Sequence, residues 1–544
     1  MRAVVIAAEQ VNEIVSYNPA TGAEVGRVGI ASADEVKAAV DRSRLAFQSW
    51  KTTTFAERSR LIMQTREVIL AELDDIARLI SDESGKPVAE ALSMELSPVL
   101  DLMQYFARNS EKLLMPAKIG IGLYALLGRS SKIVYHPLGV VGIIPAWNYP
   151  FSIPLGEAVM ALMAGNTVVI KPSELTPMIG LKIGEVFEKA QRSTNLNLSD
   201  IVQVVTGDGT TGAALVEAAP DKIMFTGSVA TGKKIAAAAK NLTSVVLELG
   251  GKDPMIVFAD ANLELAAGAA VWGAFCNAGQ SCSSVERLYV HESVAVELTR
   301  KIVEKTKQLK VGPGEDEDVS LGAMSSERQV KIVEDHVIDF RECGAKIEIG
   351  GVRSSALRRP TAEQEPPEGG TPNLFFEPTV ISGATNDMRA MQEETFGPTL
   401  PIATFSTEEE AIRLANDSEF GLTASVWTRD LEKGKRVASR IEAGSVCVNE
   451  VLYTHGIGQT PWGGFKNSGR GRTHGREGLM ELVQPQHIHI NHIAILPDAW
   501  WMPYSANAVE TFRGFAKFFS TGSVFQTARM LPQLLKRIKE LLRK

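Results

Sequence analysis

Apolar residues recur every three or four positions in the first part of the chain and then gather into short β-branched runs. ADEVKAAVDRSRLAFQSW (33–50) and FAERSRLIMQTREVILAELDDIARLISDESG (55–85) set charges between apolar residues at helical spacing, so the first third reads as amphipathic helices. From residue 133 the pattern changes to VVGIIPA, NTVVIKPS, IVQVVTGDG, KIMFTGS and SVVLELGG, separated by helical stretches. Five such runs alternating with helices predict a doubly wound, mostly parallel sheet. A second series, RLYVHES, KIEIGG, PTVISG, LPIATF, TASVWT and SVCVNE, with helices such as EEEAIRLAND between, predicts a second α/β domain.

A chain of 544 residues exceeds what one hydrophobic core organises, in line with two or three domains. Hydrophobic residues at 44% and charged residues at 22% fit a folded globular protein, and no apolar window is long enough to span a membrane. The net charge of −7 argues against nucleic acid as the main partner. Four cysteines (Cys276, Cys282, Cys343, Cys447) make no disulfide framework and suit a reducing compartment. The opening MRAVVIAAEQVNEIV is interrupted by Glu9, so no secretory signal is read and a cytoplasmic location is expected. RSSALRRPTAEQEPPEGGTP (353–372) reads as a surface loop.

Candidate chemistry centres on FCNAGQSCSS (275–284). Cys282 follows a helix-like run and an Asn-Ala-Gly break, where backbone N–H groups can stabilise a thiolate or an oxyanion. A lone cysteine is more often a core filler, so the surrounding segments must decide. Cys276 forms no CxxC pair with Cys282 and is read as packing. GDGTTG (207–212) has the letters of a dinucleotide fingerprint between a strand and a helix. HIHINH places His487 and His489 on one strand face, near His492, without the company of a metal site, and no metal is expected.

PAWNYP, KPSE, FTGS, LELGGK, GQSC, EETFGP and PWGGFKNSG, in this order, resemble the aldehyde dehydrogenase superfamily over roughly residues 12–495. The resemblance implies an NAD(P)-dependent oxidoreductase with two α/β domains of open twisted sheets and a β bridging element. Its parts would be a discontinuous cofactor domain (1–118 and 137–249), a catalytic domain (250–466) and a bridging element (119–136 and 467–495). The bridge would pair the strand around SSKIVYHPLG with that around ELVQPQHIHI and join subunits into a homodimer or homotetramer. Carried over by motif, Cys282 attacks the aldehyde. Asn148 and the Cys282 N–H stabilise the oxyanion, and Glu248 activates water to hydrolyse the thioester. Without the motifs, Glu248 would read as a strand-end ion-pair partner and Asn148 as a turn-forming amide.

The implied acceptor is NAD, with NADP as the alternative. The resemblance moves the pyrophosphate from GDGTTG to FTGSVATGKKI, where Gly227 and Ser228 open a helix and Gly232 lies in its first turns. Gly209 would then pack near the adenosine half. Lys171 and Glu174 would face the adenosine ribose, where a carboxylate repels a 2′-phosphate. Trp147, Glu394 and Phe396 complete the set, the last two at the nicotinamide ribose and ring; the plain alternative for Phe396 is a core aromatic.

A coenzyme-A-acylating relative would pass its thioester to a thiol and have no need of Glu248. A non-catalytic protein on the same fold would be expected to lack one of Asn148, Glu248 and Cys282, and all three are present. Tyr149, Phe151, Met160, Trp462 and Phe465 suggest an apolar channel for an aliphatic or aromatic aldehyde, with a semialdehyde as runner-up. The sequence departs from the family pattern at residues 496–544. From Ser505 on, eight Lys or Arg face two acids, a surplus of six on a chain of net −7, leaving −13 on the rest. Leu531, Leu534, Leu535, Ile538, Leu541 and Leu542 recur at helical spacing opposite most of the basic residues. Trp500, Trp501, Tyr504, Phe512, Phe515, Phe518 and Phe519 lie upstream. Peripheral contact with a membrane and packing on a subunit both stay open for this tail.

Overall fold

The computed structural model describes residues 12–126, 128–194, 199–354, 373–521 and 524–543. The segment 355–372, most of the expected surface loop, lies outside the described residues, as do residues 1–11. The chain divides into two compact units, Met1–Leu114 with His136–Gln484, and Met115–Tyr135 with Pro485–Lys544.

In the first unit all five early runs enter one six-stranded sheet. Its order is Gly469–Arg470, Ser244–Glu248, Lys222–Thr226, Val140–Ile144, Thr167–Ile170, Val202–Val204. Every pairing is parallel except that of Gly469–Arg470. The central strands are buried along their length, as in a sheet covered on both faces by helices. The helix Ser152–Ala164 is itself buried throughout, which explains its mostly apolar character, Ser152 and Glu157 apart. Capping boxes at Ser32 with Glu35 and at Thr54 with Glu57 set where the helices Ala33–Trp50 and Phe55–Ala71 begin. The winding runs outward from Val140–Ile144 to Val202–Val204, then returns to Lys222–Thr226 on the other side. That reversal opens a crevice beyond the C-terminal ends of the strands, where open α/β sheets bind ligands.

The second sheet runs Lys346–Ile349, Thr379–Ser382, Thr399–Phe405, Val285–His291, Asp253–Val257, Thr423–Trp427, Ser445–Val448, parallel but for its first strand. Six of these are the runs of the second series. The seventh, Asp253–Val257, is central and was missed, because its Asp-Pro start does not look like a buried strand. Asp253 is tolerated there because its carboxylate accepts from the Thr423 N–H (2.9 Å) and hydroxyl (2.7 Å). Helix Leu263–Phe275 packs on this sheet through alanines and Phe275. The helical reading of the first third also missed an antiparallel pair, Glu13–Tyr17 with Glu24–Gly29, whose strands are too short to register as a period.

The second unit carries a three-stranded sheet of Val483–Asn491, Arg129–Pro137 and Ala117–Ile119. His489 and His492 each meet a serine hydroxyl, Ser131 and Ser130, at 2.8 Å. The tail forms two helices, Ala506–Thr521 and Val524–Leu542, that pack together. Glu540 accepts from Ser505 (2.9 Å) and Asn507 (3.3 Å), so the helices run antiparallel. The single apolar face expected of this tail is corrected: Leu534, Ile538 and Leu541 turn half-buried beside buried Arg537, while Leu535 and Leu542 are exposed. The side chains of Phe518, Phe519, Arg529 and Leu531 lie outside the description.

Candidate active site

The approach to Cys282 is a strained turn. After helix Leu263–Phe275 the backbone passes through Asn277 and Ala278 at φ 53° and 52°, a left-handed conformation costly for side-chain-bearing residues. At Gly279 a Cβ would meet the Gly397 carbonyl oxygen at 2.2 Å, so this turn lies directly on EETFGP. The turn is held from several sides. The Asn277 N–H donates to Glu90 (2.9 and 3.0 Å), and its side-chain amide to the carbonyls of Asn148 and Gln280 (both 3.0 Å). Burial pushes the Cys282 thiol well above its ordinary range, and the carboxyls of Glu248, Asp253 and Glu394 add to the effect. Cys276 is buried and pushed up likewise, first by burial and then by Glu90, which suits a packing thiol.

Glu248 ends the strand Ser244–Glu248, and the two glycines that follow allow three segments to meet. A Cβ on Gly250 would lie 2.4 Å from the Glu394 carboxylate, and one on Gly251 would lie 2.3 Å from the Cys282 carbonyl oxygen. Burial raises the Glu248 carboxyl to about 7, against the pull of hydrogen bonds from Thr473 and Trp462 and the charge of Arg472. Glu157, on helix Ser152–Ala164, is pushed up well beyond its usual range by burial and then by Glu248, and its Oε2 has no described partner.

Asn148 is buried in the loop after Val140–Ile144. Its side-chain N–H₂ donates to the Gln280 carbonyl at 3.1 Å, which leaves one N–H for another acceptor. Its backbone carbonyl accepts from Lys86 Nζ (2.7 Å), and Lys86 pairs with Glu95 (2.6 Å), both fully buried. Glu95 also accepts from the N–H groups of Phe151 (2.9 Å) and Ser152 (3.1 Å). A buried ion pair thus holds the loop at Asn148 and at the two residues that follow PAWNYP. Sequence reasoning missed Lys86, Glu95, Glu90, Glu157 and Thr473. Charged and hydroxyl residues in a helical or polar stretch look like surface, and only the packing shows Lys86, Glu95, Glu157 and Thr473 buried and Glu90 turned onto the Asn277 N–H.

The cofactor candidates gather at the C-terminal edge of the six-stranded sheet. Lys171 follows Thr167–Ile170; it is buried, pushed down by desolvation, and 3.3 Å from half-exposed Glu174. Ser228 caps helix Val229–Ala238 by accepting from the Thr231 N–H (3.3 Å), and a Cβ on buried Gly232 would meet Leu249 at 2.6 Å. GDGTTG differs: Asp208 caps Gly209–Glu217, its carboxylate accepting from the Thr210 N–H (2.8 Å) and hydroxyl (2.6 Å). That helix start already holds an anion of its own. Glu394 accepts from the Gly251 N–H (2.9 Å) and is pushed up to about 8, chiefly by burial. Phe396 adopts φ 52° and meets Trp147 edge to face at 5.5 Å between centroids. Its loop is pinned by Glu286, which accepts from the N–H groups of Thr395 and Phe396 (both 2.8 Å) and pairs with buried Lys252 (2.7 Å). Of the channel candidates, Tyr149, Phe151, Met160 and Trp462 are buried and Phe465 is exposed.

Two parallel sheets with a thiol, a buried carboxylate and an amide brought together between their loops define the class. The chain belongs to the aldehyde dehydrogenase family, whose model matches residues 5–488, and is an oxidoreductase. It is 38% identical to a 4,4′-diapolycopene aldehyde oxidase of Methylomonas sp. over 530 residues, covering 97% of this chain and 95% of the relative. It is 37% identical over 488 residues to a betaine aldehyde dehydrogenase of Bacillus subtilis (strain 168), covering 89% and 94%. The crystal structure of an NAD-dependent aldehyde dehydrogenase from Sinorhizobium meliloti superposes with a TM-score of 0.81 at 36% identity, covering 90% of this chain and 93% of that one.

Proposed function

We propose that the protein oxidises an apolar aldehyde to its carboxylic acid with NAD as acceptor, Cys282 being the nucleophile and Glu248 the base for hydrolysis. The observation that carries this reading is the convergence of the Cys282, Glu248 and Glu394 loops at Gly250 and Gly251, with Asn148 bonded to the Cys282 loop at Gln280.

The residues along the sheet edge suit a dinucleotide. The Lys171 ammonium has donors to spare beyond its contact with Glu174, Thr226 keeps a buried hydroxyl without a partner, and the Ser228-capped helix start carries no carboxylate. Bound there, the dinucleotide supplies the hydride acceptor. Glu174 would accept from ribose hydroxyls and repel a 2′-phosphate, which favours NAD over NADP. Trp147, Glu394 and Phe396 would hold the nicotinamide end, the helix start at Gly227 and Ser228 would face the phosphates with Gly232 packed on Leu249 in its first turn, and Gly209 would lie near the adenosine.

The Cys282 thiol loses its proton to solvent water as its sulfur bonds the aldehyde carbon. The carbonyl oxygen takes the negative charge and accepts from the free Asn148 N–H and the Cys282 backbone N–H. Loss of hydride from that carbon restores the C=O and leaves a thioester on Cys282. Glu248, near 7, is substantially ionised at neutral pH and takes a proton from water as the water oxygen attacks the thioester. As the C–S bond breaks, the proton held by Glu248 passes to the departing sulfur, which releases the acid and returns both the thiol and the carboxylate. An apolar substrate is supported by the relative whose printed name gives diapolycopene aldehyde and which matches along nearly the whole chain. NADH formation over a panel of apolar, amino- and semialdehydes, with and without coenzyme A, tests the reading. Acid released without coenzyme A, with apolar aldehydes preferred, is the expected result. A strict requirement for coenzyme A, or preference for a semialdehyde, overturns it.

A further inference from the structure

The family match ends at residue 488, but the Methylomonas relative matches over 530 residues, more than the span 5–488 can hold, so that likeness runs into the tail. In the tail, one buried arginine organises an exposed aromatic loop. The Arg537 guanidinium donates to the carbonyls of Ala499 (3.0 Å), Trp501 (2.5 Å) and Pro503 (2.8 Å) and pairs with Glu540 (3.2 Å). With its backbone drawn onto the helix in this way, the loop leaves Trp500, Trp501, Met502 and Tyr504 exposed by 42%, 55%, 73% and 61%. On helix Val524–Leu542, residues 535, 539 and 542 share one side at helical spacing, with 536 and 543 next to them. All five are exposed, so Leu535 and Leu542 stand on one side with Lys539 between them and Lys536 and Arg543 beside them.

We propose that this tail seats the enzyme on the surface of an anionic lipid bilayer. Tryptophan and tyrosine suit a water–lipid boundary because each joins an apolar ring to a polar edge. Lysine and arginine beside leucine suit it too, since their stems lie along acyl chains while their heads reach phosphate. A second protein copy is a poorer match, because lysine is depleted from the cores of protein interfaces. The tail's surplus of six positive charges favours a negative surface. Among the described residues no helix is long and apolar enough to cross a membrane, so the contact lies on the surface. The proposal stands on the tail and not on the identity of the aldehyde, and its test reads binding.

The full-length protein is floated with vesicles of phosphatidylcholine alone and of phosphatidylcholine with phosphatidylglycerol, at low and high salt. Flotation is expected with the anionic vesicles only, falling at least ten-fold at high salt. Lys536→Glu/Lys539→Glu/Arg543→Glu should lower the partition by roughly a hundred-fold or more, since each basic residue near an anionic surface counts for about five-fold. Trp500→Ser/Trp501→Ser should lower it at least ten-fold. Both variants should keep NADH formation from a short water-soluble aldehyde and an unchanged mass in solution. Failure of the full-length protein to float overturns the proposal, as does flotation indifferent to both variants. A fall in solution mass in either variant overturns it in favour of packing on a second copy.

Discussion

Glu248 can be tested by two readouts that move in opposite directions. Burial raises its carboxyl from 4.5 to about 7, a difference of about 3 kcal/mol between its two protonation states. The unfolded chain loses this proton near 4.5 and the folded chain near 7, so the fold holds the extra proton between those values. The stability that the neutral carboxyl contributes is therefore full below the unfolded value and is lost as pH rises through the folded one. Glu248→Gln, which cannot ionise, should match the parent in denaturant unfolding near pH 4.5 and exceed it by about 2–3 kcal/mol near pH 8. Catalysis runs the other way, because the base acts only when ionised; turnover should rise through about pH 7. Thr473→Val removes a hydroxyl that favours the ionised form, and a hydrogen bond to a charged group is worth about 1.5 kcal/mol or more, so the rising limb should move up by about one pH unit. In stopped flow, Glu248→Gln should keep the first burst of NADH and lose roughly a hundred-fold or more in steady turnover. Full steady turnover in that variant, or a limb that Thr473→Val leaves in place, would refute the reasoning.

Cys282→Ala should abolish NADH formation while NAD still binds, as calorimetry would show; residual turnover would move the nucleophile elsewhere. Glu174→Gln should raise the NADP-to-NAD ratio of kcat/KM by about ten-fold, about 1.4 kcal/mol of relieved repulsion across a partly screened gap; an unchanged ratio places cofactor choice at other residues. Lys86→Met leaves Glu95 buried without its cation and should cost about 3–5 kcal/mol in denaturant unfolding. Lys86→Met with Glu95→Leu should recover most of that loss, and a double variant as unstable as the single would mean that the pair does not act as a unit.

The period of the apolar residues was enough to place eleven strands in two sheets, because burial on both faces of a parallel sheet demands β-branched runs with helices between them. The same pattern passed over Asp253–Val257, since the Thr423 contacts that make a buried aspartate acceptable come from 170 residues away. Motif order was enough to single out Cys282, Glu248 and Asn148 as candidates whose loops meet, because loops that must approach closely need particular residues at particular places, as Gly250 and Gly251 do. It could not show that Lys86, Glu95, Glu90, Lys252 and Glu286 hold those loops. A charged side chain has the same letter on a surface as in a core, and whether its charge is desolvated depends on distant segments. GDGTTG makes the same point in reverse: its letters fit a phosphate loop, but the Asp208 carboxylate folds back to occupy its own helix start. In the tail, periodicity pointed to one amphipathic basic helix after an aromatic stretch, but not to a second helix before it or to which leucines face inward. Antiparallel packing around Arg537 decided that, because its guanidinium takes the carbonyls of Ala499, Trp501 and Pro503 and so fixes which side of the helix turns inward.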